Sequence, residues 1–270
     1  MKKKILIIGK KSFIGSSLYN YLKKKKVNSK IITYKNFFNK KFYNKNFDLI
    51  INCSSNINFV NKKYNKEFDH DLNIAKQISE KKIKLIVMST RKVYKSGFNL
   101  NENSPTRPLC NYSKNKLLSE INSKKILKNR ILVLRISNII GLPKKNNKKL
   151  HKTFIDNFIK YSNKGVLFEN YKIYKDFISI NFFCRVLLKI IKKDIYGTYN
   201  LSIGKKVYLN QLVGWLNFYN KRKIVMLKVK KGFNKDSFTL NNQKLMKKLN
   251  IQYSIKKLKK DCINISKNIF

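Results

Sequence analysis

Acidic residues, glycine, proline, histidine and cysteine are all scarce in this 270-residue chain, which carries 13 acids against 62 lysines and arginines, with 9 glycines, 3 prolines, 2 histidines and 4 cysteines. The cysteines, Cys53, Cys110, Cys184 and Cys262, are far apart and lack paired ligand spacing, so they read as reduced thiols. His70 and His151 are isolated as well, and no metal site is expected. No apolar run reaches the roughly 18 to 20 residues that cross a bilayer. The run Ile5 to Ile8 after the opening lysines stops at Gly9, too short for the apolar core of a signal peptide. A cytoplasmic protein without membrane insertion is the expectation.

The shortage of acids leaves a formal charge of +49, which taken alone predicts attraction to nucleic acid, anionic membrane or polyphosphate ligands. The lysines nevertheless occur in every segment and form no block or stripe. They read as solvated surface rather than a dedicated nucleic-acid face, since clustering makes a footprint. Some of them remain available to an anionic substrate. The length suits one large domain or two linked ones, and 43% hydrophobic content fits a globular core.

What is present is an alternation of short apolar runs with helical patterns. Lys4 to Ile8 suits a buried parallel strand, and Ser12 to Lys26 follows with helical periodicity through Phe13, Ile14, Leu18 and Leu22. The turn between them holds two of the few glycines, Gly9 and Gly15. With Ser12, Phe13 and Ile14, it offers backbone amides and a positive helix end to a dinucleotide pyrophosphate. Ser12 stands where a complete fingerprint has its middle glycine and could cap the helix; a plain tight turn is the other reading.

Lys30 to Tyr34 reads as a second strand whose end would meet the adenosine ribose. Thr33, Tyr34, Lys35 and Asn36 provide no acid for a 2'-hydroxyl there, and Lys35 suits a 2'-phosphate, which tips the choice towards NADP, with NAD the alternative. Phe47 to Asn52 is another buried-type strand, followed by the small residues Cys53, Ser54 and Ser55, where a cofactor could lie close or where packing needs little volume. A polar helix from Tyr64 to Lys81 leads to the strand Ile83 to Met88, ending at Ser89 and Thr90. After a loop with Pro105 and Pro108 comes a helical segment with Tyr112, then the strand Ile131 to Ile136, ending at Ser137 and Asn138. This order predicts an α/β fold, a Rossmann-type doubly wound parallel sheet. The expected domains are a dinucleotide-binding part over 1–140, with 175–204 returning to it, and a smaller C-terminal substrate-binding region over 141–270. Within the latter are a lysine-rich loop Pro143 to Lys149, a helix near Thr153 to Tyr161 and short strands around Val166 to Ile173.

Tyr112 and Lys116 are one helical turn apart and share a face. An ammonium beside a phenol favours phenolate and lowers its pKa, which would let Tyr112 exchange protons with a substrate oxygen. The spacing itself is uninformative, because Tyr19, Tyr21, Tyr171, Tyr219 and Tyr253 are also followed by lysine at the fourth position. Only the glycine turn and the Ser89–Thr90 strand end single out Tyr112.

Seven stretches, taken in order, resemble the extended short-chain dehydrogenase/reductase superfamily, in its NAD-dependent epimerase/dehydratase branch: IIGKKSFIG from Ile7, DLIINCSS from Asp48, MSTRKVY from Met88, NENSPTRPLCNYSKNKLLSE from Asn101, LRISNIIG from Leu134, KDFISI from Lys175 and GTYNLSIGKKVYLNQL from Gly197. The resemblance implies that Thr90 hydrogen-bonds the reacting oxygen and that Tyr112 is the acid/base. Lys116 would bind the nicotinamide ribose and lower the tyrosine's pKa, and Asn138 would lie near the sugar-nucleotide phosphates. It also implies a nucleotide-sugar substrate and a homodimer built on the tyrosine helix and its neighbour.

Family dehydratases carry Asp and Glu directly after the threonine, where this chain has Arg91 and Lys92, and enzymes that epimerise two carbons carry cysteine at Arg91. Both chemistries are therefore disfavoured. In size and in the MST and VY residues the chain is similar to the dTDP-4-dehydrorhamnose reductase type, although that type's usual Asp after the threonine is missing. The expected function is reduction of a 4-keto nucleotide sugar. The alternatives are a 4-epimerase with tightly bound NAD, using the same three residues, and a non-catalytic Rossmann protein that senses a dinucleotide or binds RNA.

Overall fold

A computed structural model describes residues 3–39, 47–142, 153–162, 164–168, 173–221, 224–227 and 236–270. Its strands are β1 (Ile5–Ile8), β2 (Ser29–Ile32), β3 (Leu49–Asn52), β4 (Lys84–Thr90), β5 (Ile131–Ile136), β6 (Asn138–Ile140), β7 (Val166–Phe168), β8 (Tyr174–Lys175), β9 (Phe177–Ser179), β10 (Gly197–Leu201), β11 (Val207–Tyr208) and β12 (Val225–Leu227). The helices, in the same order along the chain, are α1 (Phe13–Lys24), α2 (Tyr34–Phe37), α3 (Ile57–Asn61), α4 (His70–Gln77), α5 (Asn111–Leu127), α6 (Phe154–Ser162), α7 (Ile180–Lys193), α8 (Leu209–Leu216), α9 (Gln243–Leu249) and α10 (Ile255–Lys267).

Six strands form one sheet in the order β10-β5-β4-β3-β1-β2, with every neighbouring pair parallel. Buried on both faces, such strands are continuous apolar runs, as in β1 and β5, whose residues are all buried. The pleat sends alternate side chains to opposite layers. Ile5 and Ile7 thus join the core shared with Leu18 and Leu22 of α1 and Phe183, Val186 and Leu187 of α7. Leu6 and Ile8 join Ile74 and Ala75 of α4 and Leu127 of α5 on the other side. The result is a Rossmann-type α/β fold with helices on both faces of the sheet.

Several boundaries differ from the sequence reading for local reasons. The second strand ends at Ile32 because Thr33 caps α2, accepting a hydrogen bond from the Asn36 amide at 3.3 Å. The expected polar helix Tyr64–Lys81 is a 3-10 turn at Lys66–Phe68 followed by α4, since extended Asp69 caps a new start through the Leu72 amide. The fourth strand runs on through Ser89 to Thr90. The lysine-rich loop Pro143–Lys149, His151 and residues 169–172 of the expected short strands lie outside the described residues. Beyond β5, three small strand pairs, β6 with β9, β8 with β11 and β7 with β12, accompany α6 and α8. Among the described residues, no helix is long and apolar enough to cross a membrane.

Candidate functional site

The order of the sheet reverses at β1, which has β2 on one side and β3 on the other. Ligands of open parallel sheets collect outside the carboxyl ends of the strands at such a switch point. Gly9 follows β1 there with φ of +129°, a conformation that L side chains rarely adopt, and a Cβ on it would stand 2.9 Å from the Cys53 carbonyl carbon that follows β3. A Cβ on Gly15 would come within 2.5 Å of the Gly9 carbonyl oxygen. Ser12 takes the capping role, its Oγ accepting the Gly15 amide at 2.9 Å, so its hydroxyl is folded into the turn between the two glycines. Phe13 is buried, Ile14 half-buried, and Lys10 and Lys11 stand exposed beside the start of α1. This turn has the closeness and the helix end that a dinucleotide pyrophosphate needs, with serine in place of the middle glycine.

The other candidate cofactor residues are distributed around the same edge. Lys35 is exposed in α2, while Cys53, Ser54 and Ser55 are half-buried after β3. Burial raises the Cys53 thiol far above its ordinary range, which removes it as a nucleophile at neutral pH. Ser54 is held by Asn52, whose Oδ1 accepts from the Ser54 amide at 3.0 Å and hydroxyl at 2.7 Å, and Ser54 Oγ is also 3.0 Å from His70 Nδ1. His70 stacks on Tyr34 with ring centroids 3.4 Å apart, and burial lowers its pKa to about 4, so it is neutral at pH 7.

The expected three residues meet. Thr90 ends β4 and Tyr112 lies in the first turn of α5, near enough for the Thr90 hydroxyl to act on the phenol's pKa. Thr90 Oγ1 also accepts from the Lys92 amide at 3.2 Å, which fixes the hydroxyl at the strand end. Lys116 lies one turn along α5 from Tyr112 and is buried, with its ammonium 2.9 Å from Asp71 Oδ2 in α4. The second oxygen of Asp71 accepts from Asn52 Nδ2 at 2.5 Å. A continuous polar chain therefore runs from Lys116 through Asp71 and Asn52 to Ser54 and His70.

This arrangement corrects the expected acidity of Tyr112. Burial raises its pKa, Lys116 lowers it and Asp71 raises it again, and the balance lies above the ordinary value of tyrosine. Burial by itself would lower the Lys116 ammonium, but Asp71 and Tyr112 together hold it above its ordinary range. Lys116 is charged, yet its charge is committed to a carboxylate. Asp71 was not singled out by motif or periodicity; its signal was its type, a rare acid beside a second acid, Asp69, in a lysine-rich chain.

In front of Tyr112 is a cavity of about 700 Å³, lined in part by Arg91, Lys92, Cys110, Tyr112, Asn138, Lys175 and Asp236. Asn138 is tied to the backbone carbonyl of Asp176 through its own amide at 3.2 Å and its side chain at 3.3 Å. Tyr112 and Asn138 thus face one space, large enough for a nucleotide-bound sugar. Thr90 and Lys116 support Tyr112 beside it. Among the described residues, no cluster of histidine, cysteine, aspartate or glutamate could hold a metal ion.

The family model for the NAD dependent epimerase/dehydratase family matches residues 5–202. The chain belongs to that family. Its solved neighbours share the fold at low identity. RMD from Pseudomonas aeruginosa, solved with NADPH, matches at TM-score 0.79 and 14% identity, over 99% of this chain and 100% of that one. A UDP-N-acetylglucosamine 4-epimerase from Methanobrevibacter ruminantium, in complex with UDP-N-acetylmuramic acid, matches at 0.78 and 19%, over 99% and 98%. A dTDP-glucose 4,6-dehydratase from Bacillus anthracis in complex with NAD matches at 0.76 and 17%, over 98% and 96%. No curated protein matches the chain in sequence. The family is one of NAD-dependent enzymes of the epimerase/dehydratase type.

Proposed function

We propose that this family member reduces a 4-keto nucleotide sugar, with Tyr112 as proton donor. The observation that carries the reading is the placement of Tyr112 on the cavity wall, between Thr90 at the end of β4 and the Lys116–Asp71 pair. A phenol beside Thr90 and held above its ordinary pKa is protonated at neutral pH, which is the form that donates to a developing alkoxide. A bound reduced nicotinamide would supply hydride to the carbonyl carbon. Thr90 orients the carbonyl oxygen, Tyr112 protonates it, and the Lys116–Asp71 pair fixes the helix turn that carries the phenol. Arg91 and Lys92 after Thr90 leave no carboxyl group there to eliminate water, which also supports simple reduction.

The glycine turn, with Ser12 folded inward, would hold the pyrophosphate, and Ser54 and Ser55 would flank the dinucleotide. NADP is favoured because the residues after β2 include exposed Lys35 and no acid. Asn138 and the cavity lysines would take the sugar-nucleotide phosphates. A homodimer through α4 and α5 is supported by Leu118 and Ile121 of α5, which are 39% and 42% exposed. The test is incubation of the purified chain with NADPH and 4-keto sugar nucleotides linked to UDP or dTDP. Reduction consumes one NADPH per sugar reduced; interconversion of sugar epimers without loss of NADPH would overturn it in favour of epimerisation.

A further inference from the structure

Arg91 directly follows Thr90, so its side chain starts one residue from the group that holds the reacting oxygen. It is 6% exposed, lines the cavity and lies 3.9 Å over the Phe238 ring. Its Nη2 donates to Asp236 Oδ2, while its Nε is buried without a hydrogen-bond partner among the described residues. A guanidinium presents a planar fork suited to two parallel bonds with one carboxylate. Here only part of the fork is used. Leaving a buried charged donor unpaired is costly, and a ligand that completes the fork recovers that cost.

Asp236 is placed to be exchanged. It receives the Ser96 hydroxyl at 3.1 Å and lies 3.7 Å from the Lys175 ammonium, so it keeps partners when Arg91 turns to another anion. Charge allows the exchange as well, because Arg91, Lys92 and Lys175 face the cavity against Asp236. The nucleotide diphosphate does not account for Arg91, since a residue adjoining Thr90 neighbours the sugar ring being reduced.

We propose that the sugar carries a carboxylate and that Arg91 reads it, with Asp236 standing in for that carboxylate when no substrate is bound. This assignment rests on the reading of the cavity as a sugar-nucleotide site. It makes Arg91 a specificity residue and the substrate class that of acidic sugar nucleotides.

The test is titration calorimetry of the full chain, saturated with NADPH, using UDP- and dTDP-linked glucuronate against the matching glucose forms. The glucuronate form binds at least about tenfold tighter, the usual weight of a charged hydrogen-bonded contact, and Arg91→Gln abolishes the difference. Asp236→Asn, which frees the fork, raises the ratio of glucuronate to glucose affinity. That variant carries the test alone if Arg91→Gln does not fold. Equal affinity for the two sugars, binding of neither, or a ratio that Asp236→Asn leaves unchanged overturns the assignment. NADPH affinity, measured in the same samples, separates the two readings: NADPH bound without discrimination between sugars removes the Arg91 assignment alone, whereas no NADPH binding removes the proposed reductase with it. A merely structural clamp on Asp236 would move the melting temperature and leave the sugar ratio as it was.

Discussion

Replacing Asp71 by asparagine changes one atom type and should disturb both the fold and the chemistry. The Asp71 carboxylate receives Lys116 Nζ on one oxygen at 2.9 Å and Asn52 Nδ2 on the other at 2.5 Å. An amide has one acceptor, so its NH2 must face one of those two donors. At 2.9 Å the ion pair is worth about 6 kcal/mol for an effective dielectric constant of about 20. Desolvation offsets much of this, and breaking such a buried pair costs about 3 to 5 kcal/mol. The expected loss is a large part of a total stability on the order of 5 to 15 kcal/mol, with a fall in Tm on the order of 10 °C.

Urea titration followed by circular dichroism measures that loss directly. Lys116 is held above its ordinary range in the folded chain, so the pair's contribution is complete below a pH of about 10.5 and disappears only as pH rises through the raised value. Wild type should therefore keep the pair's contribution constant between about pH 6 and 9, whereas in Asp71→Asn burial pulls the unpaired Lys116 ammonium below its ordinary range, so the gap should be widest at low pH and narrow as pH rises. In the same variant the Tyr112 phenol loses a charge that pushes it up, so the alkaline limb of kcat/KM should move to lower pH. A stability loss under about 1 kcal/mol, a gap that widens as pH rises, or an unmoved alkaline limb would each refute the reasoning.

His70, with a pKa of about 4 in the folded chain and an unfolded value of about 6.5, favours the folded state above the unfolded value and loses that contribution as pH falls towards the folded one. Wild type should lose about 1 to 3 kcal/mol over that interval beyond what His70→Gln loses, as read from urea midpoints at acid and neutral pH. Cys110 is exposed at the start of α5 and, despite its partial burial, bonds from Ser113 lower its pKa, whereas burial raises Cys53, Cys184 and Cys262. Iodoacetamide should therefore label Cys110 first, and a sugar nucleotide in the cavity should slow it; mass spectrometry showing faster labelling of the others would refute this. Glu120→Ala should cost about 3 to 5 kcal/mol, because Arg135 Nη2, 2.8 Å away, is left buried without its carboxylate; urea unfolding checks it.

How much was legible in the sequence follows from what each element buries. Strand β5 was placed to the residue and β1 and β3 nearly so, because strands covered on both faces are unbroken apolar runs. Helix α5 is the opposite case. Its buried residues are Ser113, Asn115, Lys116, Ser119, Glu120, Ser123 and Leu127, so apolar periodicity could not reveal the inner face. Several of the buried polar groups there answer partners far away in the chain, as Ser119 does Asp69 at 2.8 Å and Asn115 the Phe59 carbonyl at 2.7 Å. Those partners, and Asp71 above all, exist only once the fold brings α4 against α5. Arg91 was visible as a departure from related sequences, but its half-used fork was not. Thr33 and Asp69 ended predicted elements early by capping, a choice between strand or helix continuation and a new start that local composition left open.

The most direct test of the account is Tyr112→Phe, assayed with NADPH and a 4-keto sugar nucleotide beside the wild-type chain. Loss of the proton donor should lower kcat by about 10² to 10⁴, while NADPH still binds and the urea midpoint barely moves. A phenylalanine variant that turns over as fast as wild type would contradict the claim that this phenol protonates the substrate.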